Sequence, residues 1–446
     1  CFNKFLKLLK NNIVKEIYLN IKNLKLITKQ FMDYNKRDTI LVYLVCSLPI
    51  LLITGPFLPD LLVSILCIYF IFFLIKEKRN DLIRNKYIYL FLSFYLILIL
   101  SSFLSDYKLT SLKTSLAYIR FGVLVLLISY LVNSKENILN LFFKISITLL
   151  ILLFFDSLIQ KFFGQNLLGF THPPERITSF FGDDIKLGGF VTRLTPLIVA
   201  LAIFNKTKNS IIFLIILISL FLTAISGERT AFGMMILFTI GFVIFSKINL
   251  KKKMFLLISP LIIFAILIFS SEAIKYRILT STINQLNFKQ KEPFFNTTII
   301  DNREVLLHRD STFFPRVYHM YFETSKKIFI DNPIIGAGPR TYQFKSKELK
   351  YFTVSNHAAL DIQMKKQNKK INFPGYTNIS GANNHPHNTY LQLLSETGII
   401  GTMFILSIFF FCIVKLFLIK SIYRQCILIG LIINLNPIMF SGNFFN

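Results

Sequence analysis

Apolar residues run along this chain in blocks of about 16 to 25, the length at which a helix spans a hydrocarbon layer of roughly 30 Å. Short polar connections separate the blocks. Read one by one, they predict spans at 39–58, 60–75, 87–104, 115–132, 138–162, 188–204, 210–225, 231–246, 254–270, 399–419 and 425–440. One long polar stretch, 271–398, interrupts the series. Within it, Val317, Met320, Tyr321 and Ile328 recur at helical spacing, so 316–330 is expected to be a helix that ends before Pro333. A second helix is expected to start near Asn388, and 281–315 and 345–384 read as irregular. The fold class that follows is an all-α polytopic membrane protein with about 11 to 12 transmembrane helices and one large, partly helical extramembrane loop.

Charge orients the helices. Lys and Arg are retained on the cytosolic side of short loops. The stretches 76–86, 133–137, 205–209, 247–253 and 415–424 are basic and fall on one side, together with a Lys-rich amphipathic segment at 1–38. The intervening loops, including 163–187 and 271–398, then lie outside. The chain thus divides into a basic cytoplasmic segment 1–38, helices one to nine over 39–270, the outer loop 271–398 and C-terminal helices over 399–446. Eleven spans leave the C-terminus outside. Because the chain starts with Cys1 and stops just after an apolar block, it is expected to be incomplete at both ends, with a twelfth helix missing.

Composition removes several function classes. With 53% apolar and 16% charged residues, the chain is too apolar for an ordinary soluble enzyme. A net charge of +27 would suggest nucleic acid in a soluble protein, but here it sits in the connections, where orientation and anionic lipid account for it. Four of the five cysteines lie in apolar blocks and Cys1 is terminal, so no thiolate metal site is expected. The soluble-enzyme fingerprints GxGxxG, GxSxG, HExxH and the Walker loop are missing from the sequence.

Candidate chemistry lies on the outer side. In NNHPHNTYLQLLSETGIIG, 383–401, His385 and His387 flank Pro386, and Asn388 and Thr389 can cap a helix. Gly398 and Gly401 let the chain turn into the next span. His387 therefore sits at a helix N-terminus, where N–H groups and the dipole favour phosphate. SGERTAFG, 226–233, puts Arg229 at the mouth of a span, and RVYHMYFETSKKIFIDNPIIGAGP, 316–339, sets Arg316, His319 and Glu323 on one face. Arginine grips two oxygens of a diphosphate at once. In FFGDDIKLGGFVTRLTP, 180–196, preceded by Arg176, Arg193 lies within a span and needs a polar interior or a carboxylate; Asp183 and Asp184 are the nearest in sequence. Arg120, also within a span, reads as a packing or snorkelling residue. The plain alternatives are a capping surface histidine at 387 and a structural ion pair at Arg193.

Over roughly 170–446 these features, in this order, resemble the bacterial O-antigen ligase family and the related O-antigen polymerases: the Ser-Gly-x-Arg-x-Ala turn at 226–231, the Arg-start helix ending in NPIIGAGP, and HPHNTYLQLLSETGIIG. The resemblance implies a metal-independent, inverting glycosyltransferase of the membrane C class in the bacterial inner membrane, with its large loop in the periplasm. Its donor would be a glycan on undecaprenyl pyrophosphate and its acceptor a sugar hydroxyl of lipid A-core, or another lipid-linked repeat for a polymerase; it needs no cofactor and no nucleic acid. Arg229 and Arg316 would hold the diphosphate, and His387 would activate the acceptor hydroxyl or steady the leaving pyrophosphate. Arg193, Asp183, Asp184, His385 and Glu396 are supporting candidates. The rivals are a transporter of anionic lipid or solute, with a midplane site between repeats, and a structural scaffold.

The orientation is testable by labelling. Cysteines placed in 163–187 and 271–398 should react with a membrane-impermeant maleimide applied outside intact cells stripped of their outer membrane, and cysteines in 76–86 and 247–253 should not. The reverse pattern would invert the topology.

Overall fold

The computed structural model describes residues 36–276, 297–300, 303–308, 316–355 and 381–445, apart from Asn85, Lys135, Glu136, Pro174, Glu175, Ser271, Leu349, Phe352, Phe440 and Ser441. The amphipathic helix expected over 1–38 lies almost wholly outside the described residues. Each apolar run of the sequence forms a helix: α1 (Lys36–Thr54), α2 (Phe57–Lys76), α3 (Lys86–Leu104), α4 (Lys108–Ser134), α5 (Ile138–Phe163), α6 (Leu187–Phe204), α7 (Asn209–Ile225), α8 (Arg229–Phe245) and α9 (Leu250–Ser270). The loop helix α10 (Arg316–Asp331) follows, then α11 (Thr389–Leu418) and α12 (Ile422–Asn434). Eight of these are long and apolar enough to cross a bilayer, and α7, α8 and α12 are shorter. The protein is an all-α polytopic membrane protein.

Two features differ from the sequence reading. The run at 425–440 yields only the 13 residues of α12, because Pro437 cannot donate within a helix. The chain beyond it folds back onto α11: Asn388 Nδ2 donates to Pro437 O at 2.8 Å, Tyr390 OH to Leu435 O at 2.8 Å, and Gln392 Nε2 to Asn443 Oδ1 at 2.7 Å. The loop region read as irregular contains three short strands, β1 (Thr297–Ile300), β2 (Arg303–His308) and β3 (Val354–Ser355), ordered β1-β2-β3. β1 and β2 form an antiparallel hairpin, Thr297 opposite Leu306 and Ile300 opposite Arg303. Four- and six-residue strands give too short an alternation to stand out in a polar stretch.

Helix α6 is the centre of the larger apolar cluster, which draws on α5 to α9, α11 and α12. Small residues let neighbours come close. A Cβ on Gly430 of α12 would come within 2.6 Å of Pro196 in α6, and one on Gly188 within 2.5 Å of Ser226 Oγ. Thr195 Oγ1 donates to Ser219 Oγ at 2.8 Å between α6 and α7, so a buried hydroxyl pair is satisfied without water. A second cluster joins α1, α2, α4 and the start of α5. Arg120, read as a lone packing residue, instead pairs with Asp60 of α2 at 3.1 Å, a partner too far away in sequence to be read as a neighbour.

The loop is fastened to the membrane helices by an exchange of main-chain hydrogen bonds. Gly398 breaks α11 with φ 64° and ψ −162°. In an unbroken helix the N–H groups of Ile399 and Ile400 would bond the carbonyls of Ser395 and Glu396. Here they donate to Pro333 O (2.9 Å) and Ile334 O (3.3 Å), while Ala337 N and Gly338 N donate to Ser395 O and Glu396 O, both at 2.9 Å. The segment NPIIGAGP thus replaces both halves of the broken ladder. Ser101 Oγ on α3 adds a bond to Glu396 O at 2.9 Å. The fully buried Glu396 carboxylate accepts from Tyr342 N at 2.8 Å and from Gln392 Nε2 at 3.0 Å. The glycines of this contact leave no room for side chains: a Cβ on Gly336 would stand 2.3 Å from Thr397 N, and one on Gly398 would stand 2.4 Å from Ile334 O.

Both positions also have positive φ. Gly336→Ala and Gly398→Ala are therefore each expected to cost about 2 kcal/mol or more, through steric overlap and left-handed strain together. Thermal unfolding in detergent would show this as a lowered midpoint relative to a Gly233→Ala control, where a Cβ meets open space.

Candidate functional site at the loop-bearing end of the bundle

Three elements build the mouth of the site. The first is the connection from α5 to α6. Asp156 and Gln160, both fully buried near the end of α5, bind its backbone and side chains. Asp156 accepts from Ser179 Oγ (2.6 Å), Leu167 N (2.9 Å) and Asn166 Nδ2 (3.3 Å). Gln160 Oε1 accepts from Thr178 N (3.0 Å) and Ser179 N (2.7 Å). Ile177 N donates to Ile225 O at 3.3 Å, which sets this segment against the end of α7. Arg176 is thereby placed at the mouth.

The second element is the turn between α7 and α8. Glu228 turns its carboxylate onto the N-terminus of α6, accepting from Gly188 N at 2.7 Å and Gly189 N at 3.2 Å. An acidic side chain is favoured there by the free amides and the dipole. Glu228 is also the carboxylate that faces Arg193: both lie against Gly189, and Arg193 Nη1 donates to Gly189 O at 3.2 Å. The expectation that Asp183 or Asp184 partners Arg193 is not what is seen. Asp184 is exposed and pairs with Lys186 at 2.6 Å, so nearness in sequence pointed to the wrong carboxylate. Arg193 is seven residues into α6, about 9 Å from its start, and its side chain reaches back towards the mouth. Arg229 opens α8 beside these groups.

The third element is the turn that precedes α11. His387 adopts φ 54°, a left-handed conformation uncommon for a residue with a Cβ. Asn388 then caps α11, its side chain accepting from Tyr390 N and Leu391 N at 2.9 and 3.0 Å. The cap forces the chain to reverse direction at 387, and this turns the imidazole towards α10. His387 lies 6.3 Å from Tyr318 and 5.3 Å from Tyr321 between ring centroids, with His385 at 4.2 Å. Asn383 Nδ2 contacts both Tyr321 OH, at 2.7 Å, and His387 Nε2, at 3.2 Å.

Tyr318 links the three elements. Arg229 and Arg176 both act electrostatically on its phenol, and Tyr318 is an edge neighbour of His387. Arg229, Arg176 and His387, distant in sequence, thus all lie within interaction range of one side chain. The side chain of Arg316 lies outside the described residues; its backbone opens α10 two residues before Tyr318. On that helix His319 approaches Glu323 at 3.9 Å, the shared face expected from their spacing. Glu396 stands apart from this group as an internal anchor of the loop. Tyr318, Tyr321, Asn383, Glu228 and Arg176 were not singled out by sequence. The only available signal was Arg176 preceding the FFGDD segment; the other four become informative only when the chain is folded.

Burial sets the protonation of the group. It pushes the Tyr318 phenol up, with Arg229 and Arg176 pulling the other way. It pushes the Glu228 carboxyl up as well, opposed by the Gly188 and Gly189 amides and by Arg176 and Arg193. It lowers His387 from its ordinary value, so the ring is neutral at pH 7. Among the described residues no three His, Cys, Asp or Glu side chains gather as metal ligands. The arrangement can hold an anion of two or more charges between guanidinium groups and present a neutral imidazole to it.

Residues 211–406 match the family model described as O-antigen ligase. The matched stretch includes Arg229, all of α10 and the turn bearing His387. No curated protein matches the chain.

If Asp156 and Gln160 hold Arg176 in place, Asp156→Ala should leave Ser179 and Leu167 without a buried acceptor and destabilise the fold by about 1–3 kcal/mol. Limited proteolysis should then cut within 164–182 before any other described connection. Unchanged cleavage would mean that this segment is held by other contacts.

Proposed function

We propose that this chain, which carries an O-antigen ligase domain over residues 211–406, is a glycosyltransferase of lipopolysaccharide biosynthesis in the bacterial inner membrane. It moves a glycan from undecaprenyl pyrophosphate to a sugar hydroxyl of lipid A-core on the periplasmic side. The observation that carries this reading is the meeting of Arg176, Arg229 and His387 around Tyr318 at the loop-bearing end of the helices.

The chemistry needs no further energy source, since the anomeric carbon already bears a good leaving group. The protein must orient the acceptor hydroxyl and stabilise charge on the departing diphosphate. Arg229 and Arg176 supply the cations, and His387 acts at the reacting bond. A groove walled by lipid and protein strengthens each contact by lowering the dielectric. Arg193 and Glu228 shape the floor: Glu228 occupies the N-terminus of α6, so the diphosphate is left to the arginines.

The test is transfer in vitro. Purified protein in liposomes with lipid-linked glycan should elongate lipid A-core when that acceptor is supplied. Arg229→Ala and His387→Gln should each lower the rate on the order of 100-fold while the protein stays folded. Product formed only with a second lipid-linked repeat would make the protein a polymerase. Movement of the lipid or solute across the bilayer with no new glycosidic bond would make it a transporter.

A further inference from the structure

The hydrogen bonds around Asn383 determine which nitrogen of His387 carries the proton. Asn384 N donates to Asn383 Oδ1 at 2.7 Å, which fixes the orientation of the side-chain amide because a main-chain N–H can only donate. The Nδ2 group then has two hydrogens and two neighbours, Tyr321 OH at 2.7 Å and His387 Nε2 at 3.2 Å. Both neighbours must accept. A proton on Nε2 would face an N–H, so the neutral ring holds its proton on Nδ1. Among the described residues Nδ1 takes no protein partner. Asn383 is itself held by the fold: Asn383 N contacts Ser346 Oγ at 3.4 Å, Gly381 N donates to Thr353 O at 2.8 Å, and Tyr342 OH donates to Gly381 O at 2.8 Å.

We propose that Asn383 is a positioning residue that locks His387 in the Nδ1–H form, so that His387 serves the transfer as a hydrogen-bond donor to the leaving diphosphate and not as the base that takes the acceptor proton. This rests on the reading of the site as a glycosyltransferase. In the step so described, the bond from the anomeric carbon to the diphosphate oxygen breaks and its electron pair stays on that oxygen. The acceptor oxygen bonds the anomeric carbon. The acceptor proton is released to water on the face opposite the leaving group, while Nδ1–H and the arginines bind the charge of the departing diphosphate. The left-handed backbone at His387, which costs about 1–3 kcal/mol, is part of the turn before the Asn388 cap and holds the ring in this place.

The groups that face the ring are Tyr318 and Tyr321 from α10, His385 from its own turn and, beyond Tyr318, Arg229 of α8 and Arg176 of the connection before α6. Among the described residues none of them is hydrogen-bonded to Nε2, whereas Asn383→Asp would supply an acceptor there. The new carboxylate accepts from Nε2–H, favours the charged imidazolium and raises the pKa of His387. Below that raised value the imidazolium still carries Nδ1–H; above it the proton remains on Nε2 and Nδ1 becomes bare. A donor role therefore predicts that transfer by Asn383→Asp falls, on the order of 100-fold, as pH rises through the raised pKa. The unmodified protein keeps Nδ1–H when neutral and should show no such alkaline loss. A base role predicts the opposite slope, with transfer by Asn383→Asp rising over the same window, and that result would overturn the proposal.

A measurement that needs no substrate stands beside this one. Nitrogen-15 NMR of the histidine-labelled, unmodified protein in nanodiscs, with His387→Gln used to assign the signal, should show a protonated Nδ1 and a bare Nε2 at neutral pH. A protonated Nε2 overturns the assignment even if Asn383→Asp does not fold. Loss of transfer in every form of the protein would overturn the enzymatic reading alone, because the ring state is read separately.

Discussion

The loop and the membrane helices are joined by main-chain hydrogen bonds that one helix gives up and another segment restores. At Gly398 the ladder of α11 opens, leaving two carbonyls and two N–H groups that would be costly to bury unpaired. The segment from Pro333 to Gly338 satisfies all four. Because α10 leads directly into that segment and α11 begins just after His387, the exchange fixes the tyrosines of α10 against the histidine. Rigid placement of the loop over the mouth follows from backbone pairing, which is less tolerant of drift than side-chain contact. The Glu396 carboxylate extends the same anchor into the turn at Tyr342.

At the mouth, electrostatics and geometry support one another. Glu228 is committed to the two glycine amides at the start of α6. A Cβ at Gly188 would stand 2.5 Å from Ser226 Oγ and 3.1 Å from Glu228 Oε1, so a side chain there crowds the carboxylate's seat. A helix N-terminus that would otherwise attract phosphate is thus filled from within. Arg176 and Arg229, the cations of the proposed diphosphate site, are carried by two different connections and come within reach of Tyr318 only through the packing of α5, α7 and α8. Their common neighbour, the half-buried Tyr318, lies 6.3 Å from the His387 ring.

The sequence made the membrane helices legible because lipid demands length and apolarity, and both are local properties. It also made the cap at Asn388 and the break near Gly398 legible, since capping residues and glycines act on their own neighbours. What it concealed were pairings across long separations. Glu228 reaches Gly188 over 40 residues, so the choice between it and the adjacent Asp183 and Asp184 could not be made from order along the chain. Arg120 and Asp60 are hidden from each other in the same way, 60 residues apart. Asn383 is silent in sequence because an asparagine before a His-Pro-His turn reads as ordinary turn chemistry. The shortness of α12 was foreshadowed by Pro437, but the apolar run around it outweighed that one residue.

These features limit what the histidine can do. A ring used as a base needs a bare nitrogen facing the acceptor and, commonly, a carboxylate or carbonyl behind it to hold the other proton. Behind His387 stands an amide hydrogen, held in that direction by the main chain of the next residue. Burial keeps the ring neutral, and the left-handed turn points it among phenols and arginines. Every local constraint therefore favours giving a hydrogen bond over taking a proton. For a substrate whose leaving group is a diphosphate already gripped by guanidinium groups, the greatest demand in the transition state is the charge gathering on that group, and a neutral N–H donor in a low-dielectric groove meets it without having to be recharged between turnovers.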